Sequence, residues 1–322
     1  MTAQPGTRVL KADRDAIEAA ARTLAAGGLV AFPTETVFGL GADAGHGETV
    51  ARLYAAKGRP SFNPLIVHVA NADAARRVGV FTPAAEKLAA AFWPGPLTLV
   101  LARQPDCGVA DLALAGLDTV AVRVPAHPVA HALLDAFHGP IVAPSANHSG
   151  HVSPTSAAHV LADLRGRVDL VIDAGQCEVG VESTIVSCTD GPTLLRPGGI
   201  AREAIERVLG IALATGTATD DAPVAPGMLT SHYAPKAALR LDADGVQPDE
   251  ALLAFGPAPS FSGMMYNLSA RGDLIEAAAN LFSHLRALDA SGAKRVAVMK
   301  VPHDGLGEAI NDRLKRAAAP KR

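Results

Sequence analysis

Residues 29–44 read LVAFPTETVFGLGADA, and how this stretch is parsed decides how the rest of the chain divides. Leu29 to Phe32 make a short apolar strand, Pro33 breaks it, and three polar residues precede a glycine-rich segment that reads as a turn around Gly39 and Gly41. A strand in this setting opens into a site. Upstream, 13–28 place Ile17, Ala20, Ala21 and Leu24 on one helical face, with Asp13 as cap and Gly27-Gly28 as the stop. Downstream, helices are expected over 48–56, 84–92, 128–137, 156–164 and 202–209. They alternate with strand-like PLIVHV, LTLVLA, TVAVRV, PIVAP, DLVID and STIVSC. Alternation of this kind predicts α/β or α+β with a mixed sheet.

From 211 to 226 the apolar periodicity is lost and Ala, Thr, Asp, Pro and Gly dominate, which predicts a linker. The expected division is 1–210, a linker 211–237, and a small α/β domain 238–322, where ALRLD, ALLAFG and KRVAVMKVP alternate with helices over 273–288 and 306–315. There is no internal repeat.

The 322 residues are 49% apolar and 19% charged, so a folded chain is expected rather than a disordered one. Twenty-nine basic residues against 32 acidic ones give a net charge of −3, so any basic site must be local. One Trp, three Tyr and nine Phe supply a base-stacking platform poorly. No apolar run approaches the ~18 residues of a membrane span, and 1–22 lack a signal-peptide apolar core, so a cytosolic protein is expected. Cys107, Cys177 and Cys188 are too few for a disulfide framework and read as buried small residues.

Several motifs carry chemistry when read singly. Gly39, Gly41 and Ala44 fit a dinucleotide fingerprint in spacing, but the acidic partner ~20 residues on is missing, and without a Gly-Lys dipeptide there is no P-loop. His127 and His131 stand four apart on an expected helix without the Glu or Cys that would complete a metal set. Gly58 and Pro60 end a helix near Lys57, which frees Lys57 and Arg59 to share a face and converge on one anion; a solvated helix end carrying cations is the alternative on this segment alone. His68 sits in PLIVHV with Val67 and Val69 on the opposite side. Ser145 and Asn147 follow the apolar strand PIVAP, where open sheets place ligands. Arg123 in TVAVRV and Arg196 in TLLRPG need a ligand or a carboxylate as partner.

Taken together, PTETVFGLGADA, KGRPSFNPLIVHV, WPGPLTLVL, TVAVRVP, PSANHSGHVSPT, VESTIV, LLRPGGI and APGMLTSHYAPK resemble the two-domain threonylcarbamoyl-AMP synthase family, in family order over most of 29–236. The resemblance implies a twisted mixed sheet with a deep basic (YrdC-like) cavity, a linker, and a Rossmann-like C-terminal domain. It implies synthesis of L-threonylcarbamoyladenylate from L-threonine, bicarbonate and ATP with release of pyrophosphate, and a partner complex that passes the group to tRNA. It places Lys57 and Arg59 at phosphate or carbamate oxygens, and Thr36, His68, Arg123 and Ser183 around threonine. Arg59, Asn63, Thr119, Ser145, Asn147, Ser153, Arg196 and Tyr233 fall around the nucleotide. Mg2+ is expected with ATP, with no dedicated protein ligand. Phe38 stands where the family often has tyrosine and receives no polar role. The segment 226–236, with His232 and Tyr233, is expected to act as a lid or to dock the linker on the first domain. Two rivals are weighed. Carbamoyltransferases of hydrogenase maturation share the cavity type but carry cysteine-rich modules absent here, and an RNA-binding module would show steep salt dependence.

Overall fold

The computed structural model describes residues 6–216 and 233–320. Twelve strands form the first sheet: β1 (Arg8–Lys11), β2 (Val30–Phe32), β3 (Gly39–Asp43), β4 (Ile66–His68), β5 (Gly79–Val80), β6 (Leu97–Arg103), β7 (Thr119–Arg123), β8 (Ile141–Val142), β9 (Leu170–Asp173), β10 (Thr184–Ser187), β11 (Thr193–Arg196) and β12 (Ala214–Thr215). Their order is β1-β9-β2-β3-β8-β4-β7-β6-β10-β11-β12, with β5 paired to β6. Parallel and antiparallel pairs mix, and the sheet is twisted, as the α/β reading expects. Helices α1 (Arg14–Ala25), α2 (Gly47–Lys57), α3 (Ala72–Val78), α4 (Pro83–Phe92), α5 (Asp111–Leu114), α6 (Pro128–Phe137), α7 (Ala157–Leu164) and α8 (Arg202–Leu209) join them.

The caps follow the sequence. Asp13 accepts from the Ala16 amide to open α1, which buries Ala16, Ala20, Ala21 and Leu24. Thr82 and Ser156 cap α4 and α7 in the same way. At the end of α2, Gly58 adopts φ 60° while its amide bonds to Ala55 and the Arg59 amide to Tyr54, a Schellman ending that only glycine makes without strain.

One expectation is corrected. Gly39 and Gly41 do not form a turn: they begin β3, antiparallel to β2, with Phe32 opposite Gly39 and Val30 opposite Gly41. The turn lies earlier, where the Thr34 hydroxyl donates to the Val37 carbonyl and accepts from the Val37 amide. The glycines make room. A Cβ at Gly41 would lie 2.8 Å from Cε1 of Phe32 and 3.2 Å from Cγ2 of Ile141. Cys107 is also only partly buried, unlike Cys177 and Cys188.

The second sheet is parallel throughout, β13 (Ala238–Arg240), β14 (Ala251–Ala254), β15 (Met265–Asn267) and β16 (Arg295–Val298) in the order β13-β16-β14-β15, with α9 (Leu274–Ala290) and α10 (Gly307–Ala318). The stretch expected as linker is partly structured: β12 falls inside it and pairs with β11, too short to show a period in sequence. Residues 217–232, which include most of the expected lid, lie outside the described residues. The two domains share a core, because Val37, Val152 and Val181 pack with Tyr233, Leu281, Phe282 and Leu285.

Candidate active site

The strands at the middle of the first sheet have two unlike faces. Val67, Leu99, Val122 and Val186 point into the main core. Their neighbours Ile66, Val100, Ala121 and Ile185 form a small apolar floor on the other side, and His68 and Arg123 continue that face. The site therefore lies across a sheet face, at the ends of β4, β7 and β11, ringed by the segments that follow β2, α2 and β8 and precede β10. A cavity of about 50 Å³ is lined there by Thr36, Arg59, His68, Arg123, Ser145, Glu182, Ser183, Arg196 and Tyr233. That volume holds a few waters. Broader surface hollows of 340 to 480 Å³ lie elsewhere, for example around Arg52 and Asp169, without such a ring of buried polar groups.

At one end Arg123 is the organiser. Its Nη2 donates to Glu35 Oε1 at 2.6 Å, Nη1 to Thr36 Oγ1 at 2.9 Å and Nε to the Gly95 carbonyl at 3.2 Å. Three of its five N–H groups are committed among the described residues. Burial alone would push the Glu35 carboxyl up, but Arg123 outweighs it and holds Glu35 below the ordinary carboxylate range. His68 Nδ1 lies 3.2 Å from the Ile66 carbonyl, which assigns the proton to Nδ1 and leaves Nε2 an acceptor. Burial, then Arg123, pushes its pKa down to about 3, so the imidazole is neutral. The Ser183 hydroxyl is fixed by Thr98 Oγ1 at 2.7 Å and Arg196 Nη2 at 3.2 Å.

At the other end, Lys57 and Arg59 part company. Lys57 Nζ donates to the carbonyls of Ser145 at 2.5 Å and Asn147 at 2.6 Å, so it clamps the loop after β8. Burial, reinforced by Arg59, holds its pKa well below the usual lysine range. Arg59 lines the cavity and donates to the carbonyls of Pro64 at 3.0 Å and Asn63 at 3.4 Å. Burial brings it down to about 10, which leaves it charged.

Of the residues singled out in the sequence, Thr36, Arg59, His68, Arg123, Ser145, Ser183, Arg196 and Tyr233 meet at the cavity. Lys57, Asn63, Asn147 and Ser153 are tied to its wall by hydrogen bonds, and Asn63 Oδ1 and Asn147 Oδ1 are buried without a partner among the described residues. Thr119 is set apart, half-buried at the start of β7, opposite Ala102 and four residues before Arg123. His127 Nδ1 accepts from the Val129 amide as a helix cap. Sequence reasoning missed Glu35, Glu182, Thr98 and Arg313. The first two stand inside quoted motifs, PTET and VEST, where a buried carboxylate was owed to the arginines. Tyr233 docks between the two domains: its ring stacks 5.4 Å from Phe282 and faces Arg313, it shares an apolar cluster with Val37, Val152 and Val181, and it lines the cavity.

Fold and site define a two-domain protein with a buried cationic cavity of the Sua5/YciO/YrdC class. Residues 22–198 match the family model of that name, described as telomere recombination, and 200–319 match the threonylcarbamoyl-AMP synthase C-terminal domain. Curated threonylcarbamoyl-AMP synthases of Pyrococcus abyssi and Bacillus subtilis are each 42% identical; 94% of this chain is covered in both cases, with 94% and 92% of theirs. The crystal structure of P. abyssi Sua5 complexed with L-threonine superposes with a TM-score of 0.88 at 39% identity, over 97% of each chain. The chain belongs to the threonylcarbamoyl-AMP synthase family in its two-domain form.

Proposed function

We propose that this chain is a nucleotidyltransferase that makes L-threonylcarbamoyladenylate from L-threonine, bicarbonate and ATP, for threonylcarbamoyladenosine modification of tRNA. The observation that carries the reading is the cavity itself, three buried arginines, Arg59, Arg123 and Arg196, set among hydroxyls and a neutral histidine. Such a site positions reactants and stabilises charge. The threonine amine bonds to the carbon of bicarbonate with loss of water. A carbamate oxygen then bonds to the α-phosphorus of ATP, and the bond to pyrophosphate breaks.

In this reading Arg123 takes the threonine carboxylate with its remaining N–H groups, while Thr36, His68 Nε2 and Ser183 meet the amine and the side-chain hydroxyl. Arg59 and Arg196 face the phosphates, and Ser145, Asn147, Asn63, Ser153 and Tyr233 complete the nucleotide end, with Thr119 lying apart from it. Lys57 acts on that end through the loop it clamps. Mg2+ enters as part of the ATP substrate. The two carboxylates nearest the cavity are held by arginines, Glu35 by Arg123 and Glu182 by Arg313, and no group of three His, Cys, Asp or Glu among the described residues is placed to hold a metal. The product passes to a downstream transfer complex. No helix among the described residues is long and apolar enough to cross a membrane, in keeping with a cytoplasmic site of action.

The test is pyrophosphate release from ATP with each of L-threonine and bicarbonate present or omitted. Release that requires both is expected. Release indifferent to both would overturn the reading.

A further inference from the structure

Both oxygens of the buried Glu182 carboxylate are in use. Oε1 accepts from Ser153 Oγ at 2.5 Å, and Oε2 accepts from Arg313 Nε at 2.8 Å. Arg313 belongs to α10, near the far end of the chain, and is wholly buried. Its Nη1 reaches the Pro197 carbonyl of the first domain at 2.9 Å and Asp312 of its own helix at 2.7 Å. Its guanidinium carbon stands 5.3 Å from the centre of the Tyr233 ring, which lines the cavity. A second arginine of the C-terminal domain, Arg286 on α9, donates to the carbonyls of Val152 and Ser153. Ser153 is thus held at its carbonyl by one arginine of the other domain, and at its hydroxyl, through Glu182, by another.

An interface needs no charge at its centre to be stable, since well-packed apolar residues serve at a lower desolvation cost. Here α10 carries a guanidinium to the one carboxylate that joins the cavity wall to Ser153. We propose that Arg313 is a positioning residue for adenylate synthesis: it fixes Glu182, which orients the Ser153 hydroxyl, so that the nucleotide end of the site is complete only when the C-terminal domain is docked. This rests on the function proposed above and on the place of Ser153 at that end. Glu182 is faced by Arg313 from α10, Arg196 from β11, Ser153 and Tyr233. Burial would raise its pKa, but Arg313, and after it Arg196, outweigh burial and keep it ionised.

The experiment uses the full chain and pyrophosphate release, with ATP and L-threonine varied in turn. Arg313→Gln is expected to raise KM for ATP by ~10-fold or more, the scale of a lost charge-assisted contact, and to leave KM for L-threonine nearly unchanged. It is also expected to add an ionisation to the pH–rate profile, with activity falling as pH is lowered, because Glu182 without its partner takes a proton nearer neutrality. Adding Glu182→Gln should remove that ionisation and make the pair less than additive. A lower Tm with unchanged KM for ATP and unchanged pH profile, or an additive pair, would overturn the proposal. If Arg313→Gln does not fold, Glu182→Gln alone decides, since an unchanged KM for ATP sinks the relay. Wild-type release indifferent to L-threonine and bicarbonate would remove the proposed function, and this inference with it, before any variant is compared.

Discussion

Lys57 and Arg59 leave the same helix end and do different things, and their variants should separate accordingly. Arg59→Ala is expected to slow adenylate formation by ~100-fold or more, the scale of a lost electrostatic stabiliser, with a smaller loss of Tm than Lys57→Ala, because the Asn63 carbonyl keeps the Tyr54 hydroxyl as donor and only the Pro64 carbonyl loses its own. Lys57→Ala is expected to match that loss and to lower Tm as well, because the buried carbonyls of Ser145 and Asn147 lose their donor. Pyrophosphate release and thermal melts on the same preparations check both, and near-normal turnover in folded variants would leave the pair a purely structural role in holding the loops they bond to. His68 makes a prediction about acid. Its native pKa of about 3 lies below the ordinary 6.5, so between these values the unfolded chain binds a proton that the native state refuses. Stability therefore falls as pH drops through this window, and the slope from this group ends near pH 3, where the native state also takes the proton. The full effect is on the order of 5 kcal/mol. His68→Gln should lose visibly less stability than wild type in urea melts at neutral pH and about pH 4; equal losses would show that His68 is charged in the native state.

At the scale of elements, the pairing of β2 with β3 depends on glycine under an aromatic ring. The Phe32 edge and the Ile141 methyl occupy the space that a side chain at Gly41 would need. Gly41→Ala is expected to destabilise by ~1–3 kcal/mol, the cost of overpacking. Phe32→Leu in the same chain should relieve part of it, so that the two changes combine less than additively in denaturant titrations. Full additivity would place the strain elsewhere. The same pairing explains why the sequence suggested a turn. Glycine is depleted in strands, and the residue that forces glycine here is nine positions away in sequence and across a hairpin in space.

For the whole molecule, the contact between domains is close enough to govern unfolding. Gly180, at φ 74°, lies against α9 so tightly that a Cβ would stand 2.4 Å from the Ala278 carbonyl oxygen and from Cα of Ala279. Around it Val37, Val152 and Val181 belong to the same apolar cluster as α9. Wild type should unfold in one calorimetric transition. Gly180→Ala adds backbone strain to the clash, and is expected to cost at least ~1–3 kcal/mol and to split or broaden the transition as α9 is wedged away. A single sharp transition of the variant at the wild-type temperature would show that the contact at Gly180 does not govern unfolding.

The sequence by itself determined the alternation of elements, most helix ends, and the motif blocks that carry the family resemblance, because caps, stops and apolar periods are local properties of neighbouring residues. It also picked out His68, Arg123 and Arg196, since a charged or polar residue inside an apolar strand announces a partner. It could not say which partner. Glu35 for Arg123 is 88 residues away, and Glu182 for Arg313 is 131 residues away. Only the tertiary structure decided that Lys57 clamps a loop, that Tyr233 docks on α9 and α10, and that the C-terminal domain reaches the wall of the cavity. The physical reason is that a buried charge is satisfied by whatever the packing of distant elements brings within hydrogen-bond reach, and no local spacing encodes that distance.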